Sequence, residues 1–121
     1  MKIDFIADTN FLIYLHEGNE IVKPFLIYDF GISFISEVEL LGHNNIHKIE
    51  EIELKSLIND SFSIEWNLKI KEKTIDLRRK YKIKLSDSII AATSIIYNVP
   101  LVTADKQFSQ IEELDLILIE F

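Results

Sequence analysis

The sequence predicts an α/β fold with a parallel sheet and helices on both faces. Three observations lead there. Short apolar runs alternate with segments of helical period along the chain, which is the signature of strand–helix–strand units. Acidic residues stand where a run ends or a helix begins, at Asp8, Glu39, Asp87 and Asp105. At 121 residues with 48% hydrophobic content, the chain is long enough for a single core and too short for two.

The elements are taken in chain order. Lys2–Ala7 reads as a buried strand ended by Asp8, and Thr9 as the cap of a helix over Phe11–Glu17 that Gly18 stops. Asn19 caps the next segment, in which Pro24 demands a late start or a break. Gly31–Ile35 is the second strand, followed by Ser36 as cap of Glu37–Leu41 and by Gly42 as its stop. His47–Asn59 carries Ile49, Ile52, Leu54, Leu57 and Ile58 at helical spacing. Phe62–Trp66 is a third strand and Asn67–Tyr81 a long basic helix with Leu68, Ile75 and Leu77 as burial candidates. Ser86 caps a near-continuous apolar helix from Asp87 to Tyr97, which so much apolar surface requires to be buried on several sides. Val99–Thr103 is the fourth strand, Asp105–Glu113 a short helix and Leu116–Glu120 the last strand.

Composition excludes several classes. No cysteine is present, so disulfide frameworks and thiolate metal sites are ruled out. Met1–Asp8 carries two acids and no long apolar core, unlike a secretory leader, and no apolar run spans a bilayer; the expectation is a cytoplasmic protein with no membrane partner. The few glycines form neither a G-x-G-x-x-G nor a P-loop, and no G-x-S-x-G elbow appears. His16, His43 and His47 lack ligand spacing within one helix and read as surface or helix-end residues. The net charge of −7 opposes a simple basic nucleic-acid binder, yet eight of the 13 basic residues lie between Lys69 and Lys84, faced there only by Glu72 and Asp76. Such a run is either a solvated helix face or a phosphate-contacting strip, for which Lys73, Arg78, Arg79, Lys80, Lys82 and Lys84 are the candidates.

In open parallel sheets, sites form beyond the carboxyl ends of the strands where strand order reverses. If the first and fourth strands flank that reversal, Asp8, Glu39, Asp87 and Asp105 share one rim. Clustered carboxylates repel unless a cation stands between them, and all-oxygen donors suit Mg2+ or Mn2+, one or two ions. Each acid also has a structural reading. Ser36 and Glu39 spell an S-x-x-E capping box, Asp87 suits a helix first turn, and Asp105 could cap the short helix it precedes. Asp8 is the hardest to assign a structural purpose. Glu37 and Glu39 point about 200° apart on a helix, so one alone can face the crevice, and the apolar Leu40 and Leu41 beside it favour Glu39.

Together these residues resemble the PIN-domain family of nucleases, most closely its VapC-like branch of toxin ribonucleases from type II toxin–antitoxin pairs. The matching stretches are IADTNF at Ile6–Phe11, ISEVELLG at Ile35–Gly42, KLSDSIIAAT at Lys84–Thr93 and LVTADKQF at Leu101–Phe108, in the family's order and from end to end of the chain. The resemblance implies one three-layer α/β/α domain over residues 1–121, with a five-stranded, mainly parallel sheet of order 3-2-1-4-5. It implies a Mg2+- or Mn2+-dependent endoribonuclease with Asp8, Glu39, Asp87 and Asp105 as catalytic metal-holding residues and Asn10, Ser36 and Thr103 as polar support. An RNA substrate, a homodimer and a cognate antitoxin partner are implied too. The rivals are a catalytically inactive PIN-like interaction module and a phosphatase-like or receiver-type domain. Receiver domains group adjacent acids after the first strand, whereas Thr9 and Asn10 follow Asp8 here.

Overall fold

The computed structural model describes residues 2–120. Its five strands are β1 (Phe5–Ala7), β2 (Phe30–Ser33), β3 (Phe62–Ile64), β4 (Leu101–Thr103) and β5 (Leu116–Leu118). All are parallel, in the order β3-β2-β1-β4-β5 that the family resemblance implies. Five helices connect them: α1 (Thr9–His16), α2 (Phe34–Leu41), α3 (Lys48–Asn59), α4 (Leu68–Lys80) and α5 (Leu85–Tyr97). Among the described residues, no helix is long and apolar enough to cross a membrane.

Side-chain alternation along the short strands builds two cores, one on each face. Ile6 and its register partner Leu101 point to the α4–α5 side, where they meet Ile70, Leu77, Ile89 and Ile90. Phe5, Ala7, Ile32 and Val102 point to the other side, against Phe11 and Leu12 of α1, Leu40 of α2 and Leu54 and Ile58 of α3. With helices on both faces the central strands have no wet side, so β1 reads as uninterrupted apolar residues. The rings of Phe5, Phe11, Phe25 and Phe30 pack together with centroids 5.4–5.9 Å apart.

Residues Ser88–Ser94 of α5 are all buried, as its apolar run required. Its hydroxyls survive burial because they bond to backbone carbonyls: Ser88 to Leu85, Thr93 to Ile89 and Ser94 to Val99. The helix ends at Asn98 in the left-handed region, φ 54°.

Local details differ from the sequence expectation in an instructive way. Ser33, not Ser36, caps α2, accepting from the Ile35 amide; Ser36 lies inside the helix and is fully buried. The Ser36–Glu39 capping box is therefore absent. Asp8, not Thr9, caps α1, and Lys84 holds the cap position of α5 with Ser86 inside its first turn. In each case the chain bends into its helix one to three residues before the cap expected from sequence. Pro24 sits inside a 3₁₀ segment, Glu20–Ile27, rather than at a break. The segment after β4 makes only a 3₁₀ turn, Lys106–Gln110. Gly18 ends α1 with φ +71°, as expected of a left-handed stop.

Leu77 of α4 is fully enclosed, whereas Ile75 on the same helix is 44% exposed. Leu77→Ala is expected to lower the free energy of unfolding by about 2–5 kcal/mol through the cavity it leaves. Ile75→Ala should change it by less than about 1 kcal/mol. Urea unfolding of the two variants checks this order.

Candidate active site

Order β3-β2-β1-β4-β5 puts the topological switch between β1 and β4, and the carboxyl ends of these strands open a crevice there. Asp8 follows β1 directly. Its Oδ1 accepts from the Phe11 amide at 2.9 Å, capping α1, and its Oδ2 accepts a short hydrogen bond from the Thr103 hydroxyl at the end of β4. Thr103 Oγ1 in turn accepts from the Asp105 amide at 3.0 Å. One fully buried threonine thus links the acid that ends β1 to the backbone of the acid that follows β4. Asp105 turns its own Oδ1 to the Gln107 amide at 2.9 Å, so its capping reading is also correct.

The facing wall comes from α2 and α5. Asp87 lies in the first turn of α5, beside Lys84. Glu39 accepts from Thr9 Oγ1 at 2.6 Å, and the same hydroxyl lies 3.0 Å from Ser36 Oγ. Glu37 turns away and accepts from Ser63, so of the two glutamates Glu39 is the one at the crevice. Asp8, Glu39, Asp87 and Asp105 all line one cleft of about 730 Å³, with Asn10, Ser86 and Lys84. Four segments far apart in sequence have been brought to one rim.

Their electrostatics are strained. Burial pushes the Asp8 carboxyl up from 3.8 to about 6; the hydrogen bonds from Thr103 and Phe11 oppose the rise, and the charges of Asp87 and Asp105 add to it. The Asp87 carboxyl is raised as well, by burial and by the Asp105 and Glu39 charges, against the pull of Lys84. A set of oxygen-only donors, with the Asp8 and Asp87 carboxyls both raised, fits a hard divalent cation. Among the described residues, however, no three acidic or imidazole side chains converge closely enough to hold an ion as they stand. The rim gathers the acids without drawing them into a ligand shell.

The basic strip is partly occupied. Lys73 Nζ lies 3.0 Å from Glu113 and 3.6 Å from Asp76, and Lys80 Nζ lies 3.2 Å from Asp76. Arg78 donates to the Ile83 carbonyl at 3.0 Å. Arg79, Lys82 and Lys84 are exposed, and of the six Lys84 alone lines the cleft. The cleft also includes His16 and His43, read from the sequence as surface or helix-end residues, and Glu17 and Glu50. Spacing within one helix could not reveal the histidines, because His16 ends α1 and His43 follows α2.

The PIN domain family profile matches residues 5–114. No curated protein matches the chain by sequence. Among solved structures, it is similar to a toxin–antitoxin complex from Klebsiella pneumoniae at 28% identity and TM-score 0.79, over 93% of this chain and 95% of that one. It is also similar to VapBC2 from Rickettsia felis bound to a promoter DNA fragment, at 21% identity and TM-score 0.84, over 96% and 98% of the two chains. FitAcB from Neisseria gonorrhoeae matches at 19% identity and TM-score 0.73, over 93% and 96%. At those identities the last two speak for the fold alone.

Between 3.8 and about 6 the folded state keeps the Asp8 proton that the unfolded chain has lost, so this group makes stability fall as pH rises through that window. Asp8→Asn keeps an oxygen to cap α1 and removes the charge. It should stabilise the protein at neutral pH by up to roughly 3 kcal/mol, less the Thr103 hydrogen bond that its amide nitrogen cannot accept, with the gain vanishing in acid. Urea unfolding of both proteins between about pH 4 and about pH 7 checks the sign.

Proposed function

The chain belongs to the PIN domain family, and on that premise we propose that it is a metal-dependent endoribonuclease acting as a single VapC-like domain. The observation that carries the reading is the convergence of Asp8, Glu39, Asp87 and Asp105 on one cleft beyond the carboxyl ends of β1 and β4. Asp8, Asp87 and Asp105 would hold one or two Mg2+ or Mn2+ ions, with Glu39 a ligand directly or through water. Such an ion acidifies a bound water, orients the scissile phosphate and offsets charge on the attacking and leaving oxygens.

The chain's own residues set the conditions. Thr103 fixes the orientation of Asp8, and burial of Asp8 keeps water from screening its charge. Lys84 places one positive charge at the mouth of an otherwise acidic cleft, where a phosphate must approach. Arg79 and Lys82, exposed and close to Lys84 in sequence, extend that contact, while the ion pairs of Lys73 and Lys80 lower their availability. Two copies of the chain would align these cations along a shared groove, and the exposed apolar side chains Leu68 and Ile75 of α4, with Trp66 just before it, offer a surface suited to a homodimer. Similarity to the Klebsiella toxin–antitoxin complex supports a cognate antitoxin as the second partner, and the site of action would be the cytoplasm.

Purified protein incubated with a small-RNA pool should cut it with Mn2+ or Mg2+ and stop with chelator. Asp8→Asn should reduce cutting by more than the roughly 10–100-fold that loss of an outer-shell partner costs. Cleavage at the wild-type rate by that variant would overturn the assignment. Absence of both cleavage and calorimetric metal binding would leave a non-catalytic interaction module.

A further inference from the structure

We infer that Thr9 is a positioning residue for Glu39, its one hydroxyl proton holding an exposed carboxylate toward the acidic cleft. The purpose of that hold rests on the function proposed above; the hold itself does not. Thr9 Oγ1 stands 2.6 Å from Glu39 Oε1 and 3.0 Å from Ser36 Oγ. A hydroxyl has a single proton to give, and a carboxylate can only accept. The Thr9 proton therefore goes to Glu39, and Ser36 must donate to Thr9. The result is a one-way chain, Ser36 to Thr9 to Glu39, that starts at a fully buried serine and ends at the cleft.

Each link suits the task. Ser36 and Glu39 are three residues apart on α2, so they share a face of that helix. Thr9 is the first residue of α1, set by the same turn in which the Asp8 carboxylate caps the helix. Its β-branched side chain has a restricted χ1, and the contact with Ser36 selects the rotamer that aims the hydroxyl at Glu39. Glu39 is long, exposed and repelled by Asp87, whose carboxyl registers its charge. Nothing in its own helix would keep it over the cleft rather than out in water. A short hydrogen bond to an ionic acceptor does so.

The test uses the whole chain in metal-free buffer. Three-bond scalar couplings of the Glu39 side chain should report one rotamer in the wild type and in Thr9→Ser, and averaging among rotamers in Thr9→Val, which keeps the shape and loses the hydroxyl. Ser36→Ala, which breaks the chain from behind, should give partial averaging and serves if the valine variant folds poorly. Mn2+ titration calorimetry should then show affinity falling roughly 10-fold in Thr9→Val and within about twofold of wild type in Thr9→Ser. Thr9→Val should have no further effect in a Glu39→Ala background. An equally ordered Glu39 in Thr9→Val, or an undiminished effect of Thr9→Val without Glu39, would overturn the inference. A wild type that binds no Mn2+ would instead overturn the metal-site reading, and the couplings alone would decide the Thr9–Glu39 link.

Discussion

A buried carboxylate at the end of the central strand is the constraint on which the site depends. Asp8 has 4% of its surface exposed, yet both its oxygens are engaged, one by the start of α1 and one by the end of β4. A helix cap is worth about 1 kcal/mol. Holding the carboxyl at about 6 rather than 3.8 costs roughly 3 kcal/mol at neutral pH. The cost exceeds the capping gain, so Asp8 is not explained as a structural device alone. Such locally unfavourable choices gather at functional sites, where selection keeps what stability would remove.

The architecture around it supplies the rigidity. Parallel strands only three or four residues long offer few hydrogen bonds, so the two helical layers do most of the holding. Ser88–Ser94 of α5 and the aromatic cluster around Phe5 clamp β1 from opposite faces. With both faces filled, the strand ends are the remaining place where polar groups can meet solvent. Asp8 and Asp105 accordingly stand just beyond the carboxyl ends of β1 and β4. Thr103 then couples the two central strands chemically: the same hydroxyl donates to Asp8 and accepts from the Asp105 backbone.

The opposite wall is built differently. Glu39 and Asp87 sit on helices rather than strand ends, and Glu39 is exposed. Its placement comes from Thr9 and Ser36, two hydroxyls of unlike surroundings, instead of from burial. Asp8 is therefore fixed by the core, and Glu39 by a hydrogen-bond chain that starts at the buried Ser36.

Fold class, strand order (through the family resemblance) and the set of acids on one rim were all legible in the chain alone. Those features arise from local periodicity and from residues at element ends, which the chain displays in order. Glu39 could be separated from Glu37 in the same way, because rotation along a helix is a local property. Packing decided whatever depends on partners distant in the chain. Ser33 displaced Ser36 as the cap of α2, so the capping box dissolved and Ser36 became a buried partner of Thr9. Asp8 acquired a structural purpose through Thr103, ninety-five residues away. His16, Glu17, His43 and Glu50 joined the cleft, and Lys73 was drawn into a pair with Glu113, forty residues away. Burial, pairing and cleft membership are set by which segments pack together, and no window of neighbouring residues contains that information.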